Sequence, residues 1–283
     1  MGIKIAGWQQ EIINKFEEGG ISVSPFLSGT FLLLRFERCE GVLLNLLSIH
    51  TPALPADLLQ LQQHYAAKQI QLIQLWEDIW LNRPAQVISR ISSLTGVNTK
   101  RIHGRKTKVL AITQPEADSF LQKNHLQGSA KARYKYALTV DGEIVAVATF
   151  SAKRRMTRIS ENHTSVELIR FATAEGITVQ GGLSKLIKHL VNTIQPDDVM
   201  TYADLDWSHG KGYTKLGFEL SEQTPPDFIW LHQPTLIRYF THRIAETDTA
   251  AGALAGEELT GYLLSEHYVR IFNTGNLKYI LYL

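Results

Sequence analysis

The chain has 283 residues, 44% of them hydrophobic and 20% charged, with a formal net charge of +2, which marks an ordinary soluble globular protein long enough for two domains. Its one cysteine, Cys39, excludes an internal disulfide or a cysteine-based zinc cluster and reads as structural. The densest apolar runs, "TFLLLRF" and "GVLLNLLSI", are of strand length and exclude a membrane-spanning helix, and the start lacks the basic and apolar regions of a secretory signal. The opening Met-Gly is followed by Ala6 where myristoylation favours Ser or Thr, so a cytoplasmic protein is expected.

Residues 1–98 read as a small α/β unit. A helix over about 8–18 precedes two strands, "TFLLLRFE" and "GVLLNLLSIH". Pro55-Ala56-Asp57 opens a helix, "PADLLQLQQHYAAKQ", and the strand "IQLIQLW" follows. Pro84 then starts a further helix that stops at Gly96.

From residue 99 to 246 the order changes to β, α, β, β, β, α, β, α, β. The strand "TKVLAIT" leads to a helix opened by Pro115 with acids in its first turn, as the helix dipole prefers. Asp141-Gly142 joins "RYKYALTV" to "EIVAVATFS", a strong hairpin signal. The strand "SVELIRFAT" comes next, with a glycine-rich turn into the helix "GLSKLIKHLVNTI". "VMTYADL" is expected as a strand, followed by a short helix through Tyr213 and the strands "FELSEQ" and "DFIWLH". The segment 246–256, "ETDTAAGALAG", reads as a linker to a third unit over 247–283, a helix and a β-hairpin turning at Asn273 to Asn276, docked on the body because so apolar an edge would otherwise aggregate.

Between Lys100 and Arg158 thirteen Lys or Arg face four acids. Such a stretch suits the phosphates of a nucleic acid or of a nucleotide cofactor, with Arg101, Arg105, Lys106, Lys153, Arg154 and Arg155 as candidate contacts, and it equally suits a solvated basic face.

The element order, the glycine-rich turn before the central helix and "GYTKLGF" after the next strand together resemble the GNAT acetyltransferase fold. That resemblance implies a mixed central sheet with helices on both faces. It also implies acetyl-CoA, or another acyl-CoA, bound by the fourth strand and the turn after it. In this chain those positions are Phe171 on the strand and Gln180, Gly181, Gly182, Leu183, Ser184 and Lys185 at the helix start, where backbone N–H groups and the dipole favour phosphate. Val179 stands where the family usually has Gln or Arg, and Ser184 where it usually has Gly or Ala. Tyr213 stands where many of these enzymes place a tyrosine as general acid, and a tyrosine packed under the strand is the plainer reading.

Blocks from about residue 68 onward, including "LWEDIWLNRPAQVISRISSLTG", "VQGGLSKLIKHL" and "YVRIFNTGNLKYIL", also resemble phage proteins labelled homing-endonuclease-like. In those a restriction-endonuclease-like domain of the very-short-patch-repair type precedes a GNAT-like domain. Such nucleases hold a divalent metal with carboxylates on adjacent strands. Here "GVLLNLLSIH" carries no acid in its strand core, Glu37 and Glu40 are wrongly spaced, and Glu77 with Asp78 makes no metal set. Residues 1–98 are therefore expected to be a degenerate nuclease fold with no metal.

A third resemblance is to Mom-type DNA-modifying proteins of phages. It rests on His125 to Gly128, on Glu167, Leu168 and Arg170, on Ser184, and on Asp204, Ser208, His209, Gly210 and Tyr213. It implies an amine acceptor on a nucleic-acid base. Asp204 and Glu167 are candidate general bases, with His125 and His209 as alternatives because imidazole titrates nearest neutrality. The same Glu167, Arg170 and Asp204 also suit a structural ion-pair network. The expected functions are an acyl-CoA-dependent N-acyltransferase or a non-catalytic DNA- or RNA-binding accessory.

Overall fold

A computed structural model of the chain describes residues 3–98, 100–247 and 249–283. The Met-Gly start, the expected boundary at Thr99 and Asp248 in the expected linker lie outside the described residues.

The first unit is built from α1 (Gly7–Glu18), β1 (Val23–Ser28), β2 (Phe31–Phe36), β3 (Cys39–Leu47), α2 (Pro55–Ala66), β4 (Gln71–Trp76), α3 (Glu77–Asn82) and α4 (Pro84–Leu94). Its sheet runs β1-β2-β3-β4, antiparallel except for β3 and β4, which the α2 crossover makes parallel. β1 is unexpected because Pro25 interrupts its pattern; it is tolerated because β1 is an edge strand. Period-2 alternation sends Leu32, Leu34, Val42, Leu44, Ile73 and Leu75 to one face, where Ile12 and Phe16 of α1 and Val87 and Ile91 of α4 cover them.

The body follows: β5 (Lys100–His103), β6 (Lys108–Ala111), α5 (Gln114–Asn124), β7 (Tyr134–Val140), β8 (Glu143–Phe150), β9 (Arg154–Arg155), β10 (Thr164–Thr173), β11 (Ile177–Gln180), α6 (Gly182–Ile194), β12 (Asp198–Asp204), α7 (Lys211–Thr214) and β13 (Glu219–Gln223). The remainder is β14 (Phe228–His232), β15 (Ile237–Phe240), α8 (Thr241–Thr247), α9 (Thr249–Gly252), α10 (Gly256–Ser265), β16 (Tyr268–Phe272) and β17 (Asn276–Tyr282). The central sheet runs β13-β17-β12-β10-β8-β7-β6, with β9 added beside β10. Asp141 and Gly142 both adopt positive φ, as the two-residue hairpin between β7 and β8 requires. α6 buries Leu186, Ile187 and Leu190 on one face of the sheet, and α5 buries Ala117 and Leu121 on the other. The mixed α/β sheet with helices on both faces is thus present.

Two expectations fail. Residues 268–283 do not form a hairpin: β16 pairs with β14, whereas β17 inserts between β12 and β13. Nor is 246–256 a bare spacer, since α9 lies within it and Ala251 is buried against Trp230, Ile244 and Leu263.

The first unit is fastened to the body by the segment that follows β12. The backbone carbonyls of Leu205, Asp206 and Trp207 accept hydrogen bonds from Gln62 Nε2 (2.9 Å), Gln74 N (2.8 Å) and Gln71 Nε2 (3.0 Å). Trp207 itself is buried in the core of the first unit, a burial of the size that stabilises by about 2–3 kcal/mol. On the other side Ile229, Leu231, Ile271 and Phe272 pack on Leu47, Leu58 and Trp76.

Candidate functional site

β10 and β12 run parallel and pair over only four rungs, from Ser165 with Asp198 to Leu168 with Thr201. Beyond them the strands part. β10 bulges at Ile169 and stays with β8 through Thr173, while residues 202–204 of β12 pair with β17. Among the described residues no strand takes the β12-facing edge of β10 past Leu168. That leaves backbone N–H and C=O groups lining a cleft at the carboxyl ends of the strands, where open α/β sheets place ligands.

Tyr213, on α7, sits at the apex of this cleft. Its ring packs against Phe218 and Tyr279, and its hydroxyl lies near the side chain of Thr201, the last residue of β12 paired with β10. Burial raises the phenol pKa above its ordinary value, with Thr201 and the Arg90 charge opposing, so the hydroxyl keeps its proton at neutral pH. Gly210 caps α7 at φ 69°, and a Cβ there would lie 2.1 Å from the Tyr279 hydroxyl, so the glycine is required by packing as well as by conformation.

Val199 and Ala203 face the α6 side, which alternation places opposite Met200, Tyr202 and Asp204. Glu167 likewise faces away from Val166 and Leu168. Asp204, Glu167, Arg170 and His125 are therefore brought together on the α5 side of the cleft. Asp204 accepts from Gln127 Nε2 at 3.2 Å and from the Asp206 backbone N–H at 3.0 Å. Burial raises its pKa above the ordinary carboxylate value, which makes it a stronger base once deprotonated. Neighbouring Asp206 is buried, accepts from the backbone and hydroxyl of Thr274, and is pushed up to about 7 by burial and then by the Asp204 charge.

The two histidines fare differently from expectation. His125 is lowered to about 3 by burial and then by Arg170, Arg90 and Arg83, and its Nδ1 accepts the Gln127 backbone N–H at 3.1 Å. It is a neutral imidazole whose Nε2 carries the proton, a hydrogen-bond donor and a poor base. His209 lies in the turn before α7, its pKa also lowered, first by burial and then by Lys211.

At the start of α6, Gly181 adopts φ 71° with open space above it, and no side chain caps the helix. Gly182 has another reason for being glycine: a Cβ there would meet Val179 Cγ1 at 2.8 Å and Leu138 Cδ1 at 3.0 Å. Lys185 does not reach outward. Its ammonium donates to the carbonyl of Gly104 (3.0 Å) and to that of Thr107, fixing the turn between β5 and β6 against the helix start. β5 pairs with β11, Gln180 opposite His103, so Arg101, Arg105 and Lys106 stand exposed near Gln180 and Gly181. Phe171 lines the α6 side, and Leu183 and Ser184 are half-buried in the first turn.

The basic stretch is divided. Lys153 Nζ donates to the Ile194 carbonyl at the far end of α6, with Arg154 and Arg155 following on β9. A helix of 13 residues separates this group from Arg101, Arg105 and Lys106 by about 20 Å. A groove of about 1330 Å³ lies between β5, α5 and the β7–β8 turn and contains neither Tyr213, Asp204 nor His125.

In the first unit Glu77 accepts from the Ser48 hydroxyl (2.8 Å) and the Ile49 N–H (3.2 Å), and buried Asp78 holds Arg238 of β15 through two bonds of 2.6 and 2.8 Å. Among the described residues no three His, Cys, Asp or Glu side chains converge as a metal site.

No family model matches the chain, and no curated protein does. Solved structures do. They include an acetyltransferase of Bacillus subtilis in complex with CoA, 15% identical with a TM-score of 0.37, the match covering 63% of this chain and 99% of that one. A GNAT family acetyltransferase of Elizabethkingia anophelis with acetyl-CoA bound is 11% identical, TM-score 0.35, over 63% and 99%. An IAA acetyltransferase of Bacillus cereus is 13% identical, TM-score 0.34, over 62% and 99%. At such scores the assignment is left to the chain's own geometry.

Sequence reasoning missed Arg83, Arg90 and Gln127. The first two carried a signal: they stand seven residues apart, Arg83 as the N-cap and Arg90 within amphipathic α4, a spacing close to two helical turns.

Proposed function

We propose that the chain is a GNAT-type acyl-CoA-dependent N-acyltransferase. The observation that carries this reading is the unpaired edge of β10 opening on a cleft with a protonated Tyr213 at its apex. The edge fits an extended ligand with amide groups, and the uncapped start of α6, flanked by Arg101, Arg105 and Lys106, fits its phosphates. When bound, acyl-CoA supplies an activated thioester. Tyr213 holds a proton for the departing sulfur, and Asp204 takes the proton lost by the attacking amine as the C–N bond replaces the C–S bond. His125 donates a hydrogen bond from Nε2 rather than acting as base. Glu167 shapes the charge around Arg170.

A base amine of a nucleic acid is the acceptor that the Mom-type resemblance suggests. The binding-only alternative loses its main support because the basic residues fall at opposite ends of α6. Residues 1–98 serve as a wall of the site.

The test is acetyl-CoA binding by calorimetry and thermal shift. Stabilisation by RT ln(1 + [L]/Kd) is expected, with affinity falling about tenfold in an Arg105→Glu, Lys106→Glu variant whose changes are both exposed. Absence of any binding by the wild-type chain would refute the proposal.

A further inference from the structure

The acceptor side of the cleft has a wall that comes from the first unit. Leu126 packs into the core of that unit beside Val87 and Ile91, which draws the turn at 125–128 onto α4. Arg83 Nη1 and Gln86 Nε2 then both donate to the Gln122 carbonyl, at 3.4 and 3.1 Å. Gly128, at φ 63°, leaves the room that Arg83 occupies, since a Cβ there would lie 3.2 Å from Arg83 Nη2. Arg90 follows two turns later, about 10 Å along the same face.

Glu167 and Asp204 lie near enough to act on Arg170, but neither pairs with it directly. Among the described residues neither Arg83, Arg90 nor Arg170 forms an ion pair. Arg170 uses Nη1 on the Ile169 carbonyl at 2.8 Å and leaves a buried Nε without a partner. Its cross-strand neighbour Thr149, fully buried, also has an unpartnered hydroxyl. Arg83 and Arg170 are half-buried and Arg90 is exposed; a buried, unpartnered guanidinium nitrogen such as Arg170 Nε is costly, and a bound anion removes that cost.

Building on the acyltransferase reading, we infer that Arg83, Arg90 and Arg170 form an anion subsite, and that the acceptor is an amine carrying a phosphate or a carboxylate. Arg83 and Arg90 are then specificity residues supplied by the first unit. Arg170, Arg90 and Arg83 all lie near enough to His125 to add to the effect of its burial, which places the three cations around one point of the cleft.

Two measurements on the full chain test this. The first is thermal shift with inorganic phosphate and with acetate, each against chloride at matched ionic strength. Stabilisation of a few degrees is expected from one of them, identifying the anion, and is lost in Arg83→Gln and Arg90→Gln, with Arg90→Lys retaining part should a Gln variant misfold. No shift with either anion overturns the subsite, whatever the outcome with acetyl-CoA. The second is CoA release with matched amines that differ only in bearing an anion. Arg90→Gln should raise KM for the anionic amine at least tenfold while changing KM for the neutral amine by less than about twofold. Equal loss on both amines overturns the assignment. Failure of acetyl-CoA to bind would remove the acyltransferase reading alone, leaving the anion measurement to decide the subsite.

Discussion

Asp206 offers a quantitative test of how the units are joined. It is 3% exposed, hydrogen-bonded to Thr274, and held at about 7 against an ordinary value of 3.8. A carboxyl whose pKa is raised on folding binds more protons in the folded state, so its contribution to stability is fullest below the unfolded value and is lost as pH rises toward 7. The gap corresponds to roughly 4 kcal/mol in total, of which about 3 kcal/mol falls between pH 5 and pH 8. In Asp206→Asn the side-chain oxygen can still accept from Thr274 while the titration disappears. Urea unfolding at pH 5 and pH 8 should therefore show the wild type losing about 3 kcal/mol more than the variant over that interval. Parallel pH profiles for the two proteins would refute the reasoning, because they would mean that Asp206 ionises in the folded chain as freely as in water.

Tyr213→Phe keeps the ring contacts with Phe218 and Tyr279 and removes the proton, so it should leave thermal stability near wild type and slow CoA release about 10² to 10⁴-fold, read by thiol detection. Gly210→Ala sets a methyl against Tyr279 at positive φ and should lower stability by roughly 2–4 kcal/mol in denaturant titration. Asp78→Ala strands Arg238 and should cost roughly 3–5 kcal/mol, whereas the double change Asp78→Leu with Arg238→Met should recover most of that loss in the same titration.

Much of the body was legible because local chemistry and tertiary structure agree. Asp141-Gly142 demands a hairpin wherever it falls, and Pro115 with Glu116 opens α5 with Thr113 capping it. The exceptions share a cause. Pro25 hides β1, since nothing local says that its strand is an edge. The hairpin expected at 268–283 fails because two consecutive apolar strands find better partners in different sheets, a choice made by packing at long range. In the candidate site, Tyr213 and Asp204 stood out through family resemblance, Asp204 also by its place at the carboxyl end of a strand. Arg83 and Arg90 did not, because only the burial of Leu126 turns α4 toward the cleft. His125 was visible as a titratable group, but its environment of three arginines was not.

The path between β13 and β17 closes where it opens. Thr224 N–H donates to the Asn276 carbonyl at 2.8 Å, Asn276 N–H returns to the Thr224 hydroxyl at 2.8 Å, and Gly275, at φ 94°, lets the backbones pass where a Cβ would lie 2.3 Å from the Thr224 carbonyl. Strands β14 to β16 thus form a buckle on a strap. Its tongue is Arg238, which reaches Asp78 in the first unit, and its hinge is this pinch point. Loosening the hinge would slacken the hold on α3, which leads directly into Arg83 at the start of α4, so a glycine distant in sequence bears on how steadily that residue is held.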